Sequence, residues 1–169
     1  MRYIALLRGI GPTNPNMKGE RLKAVFEKIG FKNVYPVIAS GNVIFDSPSK
    51  NQAALEAKIE KELPKRLGFK SATIIRSKEE LEALVKKNPF KGAEHNRRSY
   101  LIATFLKDRN QVRGGVLFNV IDTEKSKTPD FMRMLEKKYG KQITTRTWAT
   151  IHRILQKMAA MELPEVKIK

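Results

Sequence analysis

The stretch RYIALLR, residues 2–8, decides the fold class, because the strand that it predicts is apolar on both faces. Side chains alternate along a strand, so Ile4 and Leu6 point to one face. Ala5 and Leu7 then point to the other face. A strand of this kind belongs to a sheet that is covered on both sides. The stretch therefore predicts a buried central strand and no open sheet surface for a ligand.

The residues after this strand predict the element order βαββαβ. Apolar residues at helical spacing alternate with short β-rich runs, and Gly or Pro stands near the element ends. This order is that of the ferredoxin-like split βαβ unit. The predicted elements are a helix over residues 18–29, a hairpin of strands over Val34–Ala39 and Asn42–Phe45, a helix that Pro64 ends or kinks, and a strand over Ala72–Arg76.

If the count starts again at this last strand, the elements that follow repeat the order βαββαβ and add one helix. Ser77 and Glu80 form a capping box at the start of the next helix. The later elements are strands over Tyr100–Leu106 and Val116–Ile121, a helix capped by Thr128 with Pro129 at its first position, a short strand near Gln142–Thr144, and a last helix with Trp148 on its inner face. The sequence thus predicts an α+β fold of two ferredoxin-like (βαββαβ) halves packed together, with sheets covered on both faces. The halves span residues 1–76 and residues 77–169, the second with an extra C-terminal helix, in one compact unit.

The net charge is the strongest feature of the composition. The 169 residues include 34 Lys and Arg against 17 Asp and Glu, which gives a net charge of +17. The excess is +8 in residues 1–76 and +9 in residues 77–169, so it is not confined to a basic tail. A positive field of this kind attracts nucleic acids and other polyanions. Solvated surface lysines would give the same composition, so the charge alone specifies no function.

Several kinds of site are excluded by the residue types. The chain has no cysteine, which excludes disulfides, zinc–thiolate sites and thiol nucleophiles. His95 and His152 are far apart in the sequence, and no catalytic motif surrounds Ser40. We therefore predict no metal and no cofactor, and the sequence leaves open whether the protein is an enzyme. The apolar run Tyr3–Leu7 is too short to span a membrane, so we expect a cytoplasmic protein.

The first loop, LLRGIGPTNPNMKG over residues 6–19, joins a strand to a helix as phosphate-binding loops do. It lacks the Gly before Lys18 and the hydroxyl after it that a Walker A loop requires. Pro12 and Pro15 also remove two backbone N–H groups that could have bound phosphate. The loop is therefore interpreted as a proline-stiffened turn, whose side chains are the remaining candidates for anion binding.

Four stretches carry a resemblance to a known family: YIALLRGI (3–10), EKIGF (27–31), ASGNVIFDS (39–47) and TTRTW (144–148). Together they resemble the bacterial family known as domain of unknown function 1697, over nearly the whole chain. The resemblance implies two ferredoxin-like α+β halves and implies no activity. The chain departs from the common family pattern at residues 11–13, at Ala39, where Gln is usual, and at Thr147, where Asn is usual.

The leading hypothesis is a non-enzymatic protein whose basic loops and helix faces bind nucleic acid or another polyanion. Basic residues near helix and strand ends are suited to phosphate contacts. Tyr3 and Phe45 are expected in the core, which argues against a base-stacking RNA-recognition motif. The candidate polyanion-binding residues are Arg97, Arg98, Arg133, Lys137, Lys138, Lys141, Arg146 and Arg153.

The alternative is a small-molecule enzyme or sensor that binds a phosphorylated ligand in a cleft between the two halves. Polar residues of the first loop and of the hairpin would supply the hydrogen-bond donors. The candidate ligand- or anion-binding residues are Arg8, Asn14, Asn16, Lys18, Ser40 and Asn42. A third interpretation is a module that forms a homo-oligomer through a sheet face or edge.

Overall fold

The computed structural model describes residues 1–8, 18–38 and 41–162 of the chain. Within these residues the fold is α+β, with two antiparallel sheets and five helices. In chain order the elements are β1 (Arg2–Leu7), α1 (Gly19–Ile29), β2 (Lys32–Pro36), β3 (Asn42–Asp46), α2 (Gln52–Leu67), β4 (Thr73–Ser77), α3 (Lys78–Lys86), β5 (Ser99–Leu106), a short 3-10 helix (Arg113–Gly115), β6 (Val116–Asp122), α4 (Thr128–Tyr139), β7 (Ile143–Thr147) and α5 (Trp148–Ala160).

The first sheet has four strands in the order β2-β3-β1-β4, and each neighbouring pair is antiparallel. Tyr3, Ala5 and Leu7 of β1 pack on one face into a core formed with α1 and α2. Ile4 and Leu6 pack on the opposite face into a second core, which includes apolar residues of β5, α3 and α5. Both faces of β1 are therefore buried, as its apolar pattern predicts.

The second sheet has three strands in the order β6-β5-β7. Its central strand β5 contributes Leu101, Ala103 and Phe105 to the core shared with the first sheet. Helix α4 covers another part of this sheet, where Leu135 packs with Leu106 and residues of β7. Strand β4 pairs with β1 in the first sheet. Within the described residues, the second sheet therefore consists of β6, β5 and β7, and β4 belongs to the first sheet.

Local signals place two helix ends as predicted. Ser77 Oγ accepts a hydrogen bond from the Glu80 N–H at 3.1 Å, and the Glu80 carboxylate accepts one from the Ser77 N–H at 2.7 Å. The capping box at the start of α3 is thus confirmed. Gly30 follows α1 with φ 104°, a left-handed conformation that glycine adopts without a steric penalty.

Two predicted boundaries were wrong, and a third prediction left two alternatives of which one is excluded. Pro64 does not end α2, which continues to Leu67, so whether Pro64 kinks the helix stays a prediction. Helix α4 already includes Thr128, and its N-cap position is Lys127. Strand β2 ends at Pro36, before the predicted end, since Ile38 adopts a left-handed conformation with φ 58° that a strand does not continue.

Candidate functional site

The guanidinium of Arg146 in β7 joins three of the stretches on which the family resemblance rests. Its Nε donates to Asn42 Oδ1 at 2.6 Å, and its Nη2 donates to the backbone carbonyl of Leu7 at 2.8 Å. Its Nη1 donates to Thr144 Oγ1 at 2.7 Å. Burial disfavours the charged guanidinium and lowers the pKa of Arg146 to about 10. The side chain therefore ties β7 to the end of β1 and to the hairpin between β2 and β3.

Arg8 makes a second connection beside the first. Its guanidinium donates to the backbone carbonyls of Lys141 and Ile143, the latter at 3.3 Å, and forms an ion pair with Glu136 of α4. Its backbone N–H donates to Ser71 Oγ at 3.0 Å. We call Arg8 and Arg146, with the acceptors that they contact, the arginine clasp. The clasp holds the C-terminal end of β1 against the segment that runs from α4 into β7.

The predicted ligand-binding residues are brought together only in part. Arg8 and Asn42 both belong to the arginine clasp, and Asn42 is only 2% exposed. Lys18 is exposed at the N-cap position of α1. Asn14, Asn16 and Ser40 lie outside the described residues. Because the guanidinium groups of the clasp donate to protein acceptors, the contacts seen are structural, and ligand binding by these residues stays a prediction.

Most of the predicted polyanion-binding residues are exposed, and four of them lie on or next to α4. Arg133, Lys137 and Lys138 are exposed on α4, and exposed Lys141 follows the helix. The residues placed elsewhere are Arg97 and Arg98 before β5, Arg146 in the clasp and Arg153 on α5. The spacing of four residues puts Arg133 and Lys137 on one side of the helix, and exposed Lys138 lies about 100° further round it. We call Arg133, Lys137, Lys138 and Lys141 the basic face of α4.

The sheet register places Arg97 and Arg98 near the start of this basic face. Ser99, which follows them, pairs with Asp122 at the end of β6, and α4 begins six residues later. At the other end of the sheet Leu106 pairs with Ile143, just after α4. The helix therefore runs from the end of the sheet where the two arginines lie to the end where the arginine clasp lies.

The acidic residues of α4 do not cancel the basic face. Glu136, the only acid among residues 131–157, forms its ion pair with Arg8 of the clasp. Asp130 pairs with Arg133, and both side chains are largely exposed, so solvent and salt weaken that pair. Lys137 and Lys138 form no ion pair with any described residue. The outward side of the helix is left with a net positive charge.

A cleft of about 540 Å³ lies between the start of α2 and the loop that follows β5. Residues 50–53 and Glu56, at the start of α2, line one side, and residues 107–110, after β5, line the other. This cleft uses none of the residues that the sequence analysis proposed for a ligand between the halves. The missed residues carried no motif, since they come from two segments that approach each other only in the tertiary structure.

A buried arginine that sequence reasoning missed and the half-buried Glu80 lie in the same region. Arg76 is 1% exposed, and its guanidinium donates to the carbonyls of Leu106 at 2.8 Å and Gly115 at 3.1 Å. Burial lowers the pKa of Arg76 to about 10. Burial alone would raise the pKa of Glu80, but hydrogen bonds from Arg109, the Ser77 N–H and Gln52 outweigh it and hold that pKa below its ordinary value. The sequence held one sign that Arg76 is buried. Arg76 comes two residues after Ile74, so the two side chains of the predicted strand point to the same face, which was expected to be apolar.

Glu56 differs from Glu80 in lacking a partner. It is 5% exposed, and its Oε2 atom has no hydrogen-bond partner within the described part of the chain. Burial raises the pKa of Glu56, although the positive charges of Lys107, Arg76 and Arg109 oppose the rise. An unpartnered buried carboxylate is costly, so Glu56 lowers the stability of the folded protein.

We expect Glu56→Gln to raise the free energy of unfolding at neutral pH. The folded protein holds the Glu56 proton to higher pH than the unfolded chain does, because the pKa of Glu56 is raised on folding. Wild-type stability therefore falls as the pH rises from the ordinary Glu pKa, about 4.3, through the raised one, and Gln removes this loss. Urea unfolding from about pH 4 to about pH 8 measures it. The exposed Glu94→Gln variant should keep the wild-type profile, and a Glu56→Gln protein that is less stable at pH 7 than wild type would contradict the expectation.

The two histidines have structural surroundings. The His95 ring stacks on Tyr100 with 5.0 Å between centroids, and its Nδ1 accepts a hydrogen bond from the Leu101 N–H at 3.1 Å. His152 is exposed and packs edge-on against Trp148.

No group of three His, Cys, Asp or Glu side chains among the described residues could hold a metal ion. None of the helices in residues 1–8, 18–38 and 41–162 has both the length and the apolar character that a membrane crossing needs.

Comparisons with known proteins agree with the described architecture. The model of a family described as "Protein of unknown function (DUF1697)" matches residues 1–127. Among solved structures, a conserved bacterial protein from Streptococcus pneumoniae is similar, with 23% sequence identity and a TM-score of 0.73. The match covers 94% of this chain and 98% of that chain, and at this identity it shows the fold alone. No curated protein matches the chain.

Proposed function

We propose that this protein, which belongs to the DUF1697 family of proteins of unknown function, binds the phosphate backbone of nucleic acid through the basic face of α4. The observation that carries the proposal is the group of exposed cations Arg133, Lys137, Lys138 and Lys141 on the helix and just after it. Such a group can neutralise several phosphates and release their counterions, which drives nucleic-acid binding.

The arginine clasp supports this interpretation. Its Arg8 pairs with Glu136, which would otherwise place a negative charge among the lysines of α4. The exposed Arg97 and Arg98 at the other end of the helix extend the positive surface. The net charge of +17 adds long-range attraction for the same kind of partner.

The binding mode that we propose is contact with phosphates rather than with bases. Tyr3 and Phe45, the aromatic residues at the strand positions where a base-stacking sheet would need them, are both 0% exposed and pack on each other in the core. Stacking on a sheet requires exposed aromatic rings. We therefore expect affinity to depend strongly on salt and weakly on sequence.

The test replaces Arg133, Lys137 and Lys138 by Gln together and measures binding to a fluorescently labelled duplex of about 20 base pairs, a length well beyond the helix. Between about 50 mM and about 200 mM salt, the wild-type protein should show a steep fall in affinity. The triple variant should bind on the order of 10²-fold more weakly or worse at low salt. Its salt slope should be smaller by about 3, since each lost phosphate contact removes about one unit.

A charge-matched control separates the basic face from the net charge. Lys28→Gln, Lys61→Gln and Lys86→Gln remove the same three charges from exposed positions on α1, α2 and α3. This control should keep nearly the wild-type salt slope. Equal losses in both triple variants would show that only the overall charge matters, and no binding of the wild-type protein at low salt would refute the proposal.

We also propose that residues 1–76 form a ferredoxin-like half. The support is the order β2-β3-β1-β4 of an antiparallel sheet built from βαββαβ. For residues 77–169 we propose a related half. Counted from β4, the elements again follow the order βαββαβ, although β4 itself pairs with β1 in the first sheet. Cytoplasmic localisation and homo-oligomer formation stay predictions of the sequence.

A further inference from the structure

Strand β6 lies at one edge of the second sheet, and its outer side carries free hydrogen-bonding groups. It pairs with β5 over seven consecutive residue pairs without a bulge, and the Thr123 N–H continues this register by donating to the Arg98 carbonyl at 3.0 Å. Hydrogen-bonded and non-hydrogen-bonded pairs alternate along an antiparallel ladder, so the backbone groups of Asn119 face β5. Those of Phe118 and Val120 therefore point away from the sheet. Among residues 1–8, 18–38 and 41–162, none forms a hydrogen bond with these outward groups.

The other edge strands of the two sheets are protected in ways that proteins commonly use against edge-to-edge pairing. Strand β2 contains Lys32 and Pro36 and has an irregular register, and all five residues of β4 are buried. In β7 the arginine clasp occupies the backbone carbonyls of Ile143 and Thr145. Strand β6 lacks these protections, since VLFNVI, residues 116–121, contains no charged residue and no proline.

The side chains along this edge are apolar and partly exposed. Val120 is 53% exposed, which is unusual for a valine within a sheet. Phe118 is half-buried, and its ring packs edge-on against Trp148. A long, regular edge with free backbone groups and apolar side chains is a template for one more antiparallel strand.

We propose that this strand is the β6 of a second copy of the chain, so that two three-stranded sheets join into one continuous sheet across a two-fold axis. The axis passes at Asn119, and Phe118 of each copy lies opposite Val120 of the other, with free N–H groups facing free carbonyls. The ends of the strand fit this orientation. Exposed Arg113 lies just before β6 and exposed Asp122 ends it, so antiparallel pairing brings the acidic end of one copy to the basic end of the other. Self-complementarity of this kind favours a second copy as the occupant.

The net charge sets the salt dependence of this dimer. Each copy carries +17, so two copies repel each other at low salt. Salt screens this repulsion, with a screening length of about 8 Å at physiological ionic strength, while backbone hydrogen bonds and apolar contacts at the interface remain. The dimer should therefore become tighter as salt rises, whereas nucleic-acid binding should become weaker. The two proposals do not depend on each other.

The experiment is sedimentation velocity of the nuclease-treated, full-length protein over about 5–200 μM, the weak end of the affinities of specific interfaces. At high salt the wild-type protein should form a dimer as its concentration rises. Val120→Lys places a charge against Phe118 of the other copy and should raise the dissociation constant at least about 10-fold. Met134→Lys makes the same change at a 55% exposed position on α4 and should dimerise as the wild-type protein does.

A single introduced cysteine tests the register, because the chain contains none. Asn119→Cys places two thiols at the two-fold axis, in a non-hydrogen-bonded pair whose Cα atoms lie about 4.5 Å apart, within the range of disulfides. Mild oxidation should link this variant into a dimer much faster than it links Met134→Cys.

Three outcomes would overturn the proposal: equal dissociation constants for Val120→Lys and Met134→Lys, equal rates of linkage for the two cysteine variants, or a wild-type protein that stays monomeric at high salt. The last outcome would leave an extended segment of a different protein as the occupant of the edge. The Arg133, Lys137 and Lys138 triple variant should dimerise at least as tightly as the wild-type protein, since it lowers the repulsion between copies. This proposal and nucleic-acid binding can thus fail separately.

Discussion

Arg146→Ala is expected to lower the free energy of unfolding by about 3–5 kcal/mol, since it removes hydrogen bonds from buried acceptors at about 1–3 kcal/mol each. The substitution removes the donor to Asn42 Oδ1 and to the backbone carbonyl of Leu7, while the carbonyl of Gly41 keeps its hydrogen bond from the Leu7 N–H. These acceptors lie at the end of β1 and at the start of β3, so the loss falls on the contact between the two sheets. Urea unfolding followed by circular dichroism measures the change.

Two further variants test whether the geometry of the guanidinium is what matters. Arg146→Lys keeps a positive charge, but a single ammonium cannot replace the planar fork of donors. It should lose a large part of the stability that the alanine variant loses. Arg153→Ala, an exposed arginine on α5, should stay within about 0.5 kcal/mol of the wild-type protein. An Arg146→Ala protein as stable as Arg153→Ala would show that the arginine clasp contributes nothing.

Gly115→Ala is the second substitution with a large expected effect, about 3–5 kcal/mol of lost stability. Gly115 has φ +71°, and a Cβ atom there would lie 3.0 Å from Arg76 Nη2, 3.1 Å from Arg109 Cγ and 3.3 Å from Arg109 Cα. The left-handed conformation costs a non-glycine residue about 1–2 kcal/mol. The contact requires buried Arg76 to move by a few tenths of an ångström, which strains its hydrogen bonds to Leu106 and Gly115 by up to about 1–3 kcal/mol.

The neighbouring glycine provides the matched control. Gly114 has φ +76°, and nothing lies within 4 Å of the Cβ atom that alanine would add. Gly114→Ala should therefore lose only the conformational cost of about 1–2 kcal/mol. The difference between the two midpoints of thermal unfolding measures the collision with Arg76 and Arg109. Equal losses for the two variants would mean that Arg76 can move without cost.

The elements of the fold were largely predictable because their signals are local. The alternation in residues 2–8, the capping box of Ser77 and Glu80, and Gly30 after α1 each depend on residues within a few positions of one another. The pairing of the strands was harder to predict from the sequence. Nothing local in Thr73–Ser77 indicates that this strand pairs with β1 rather than with the strands of the second half.

The candidate sites show the same division between local and distant contacts. The basic residues of α4 could be found from sequence, since Arg133, Lys137 and Lys138 lie close together in the chain and the spacing of four residues places the first two on one side of a helix. The arginine clasp could not, because Arg146 reaches acceptors that lie 104 and 139 residues away in the chain. The sequence grouped Arg146 with surface cations, whereas its donors are turned toward the protein.

By itself, the sequence determined the α+β class, the buried central strand, the excess of positive charge and the cluster of basic residues over positions 133–141. These follow from composition and from side-chain periods of two and 3.6 residues, which need no knowledge of the rest of the chain. Only the tertiary structure decided that Arg76 is buried, that Arg146 donates to distant acceptors, that Glu56 Oε2 has no hydrogen-bond partner among the described residues and that a cleft opens beside Glu56. Burial and hydrogen-bond partners depend on which distant segments meet, and the local pattern of residues does not contain that information.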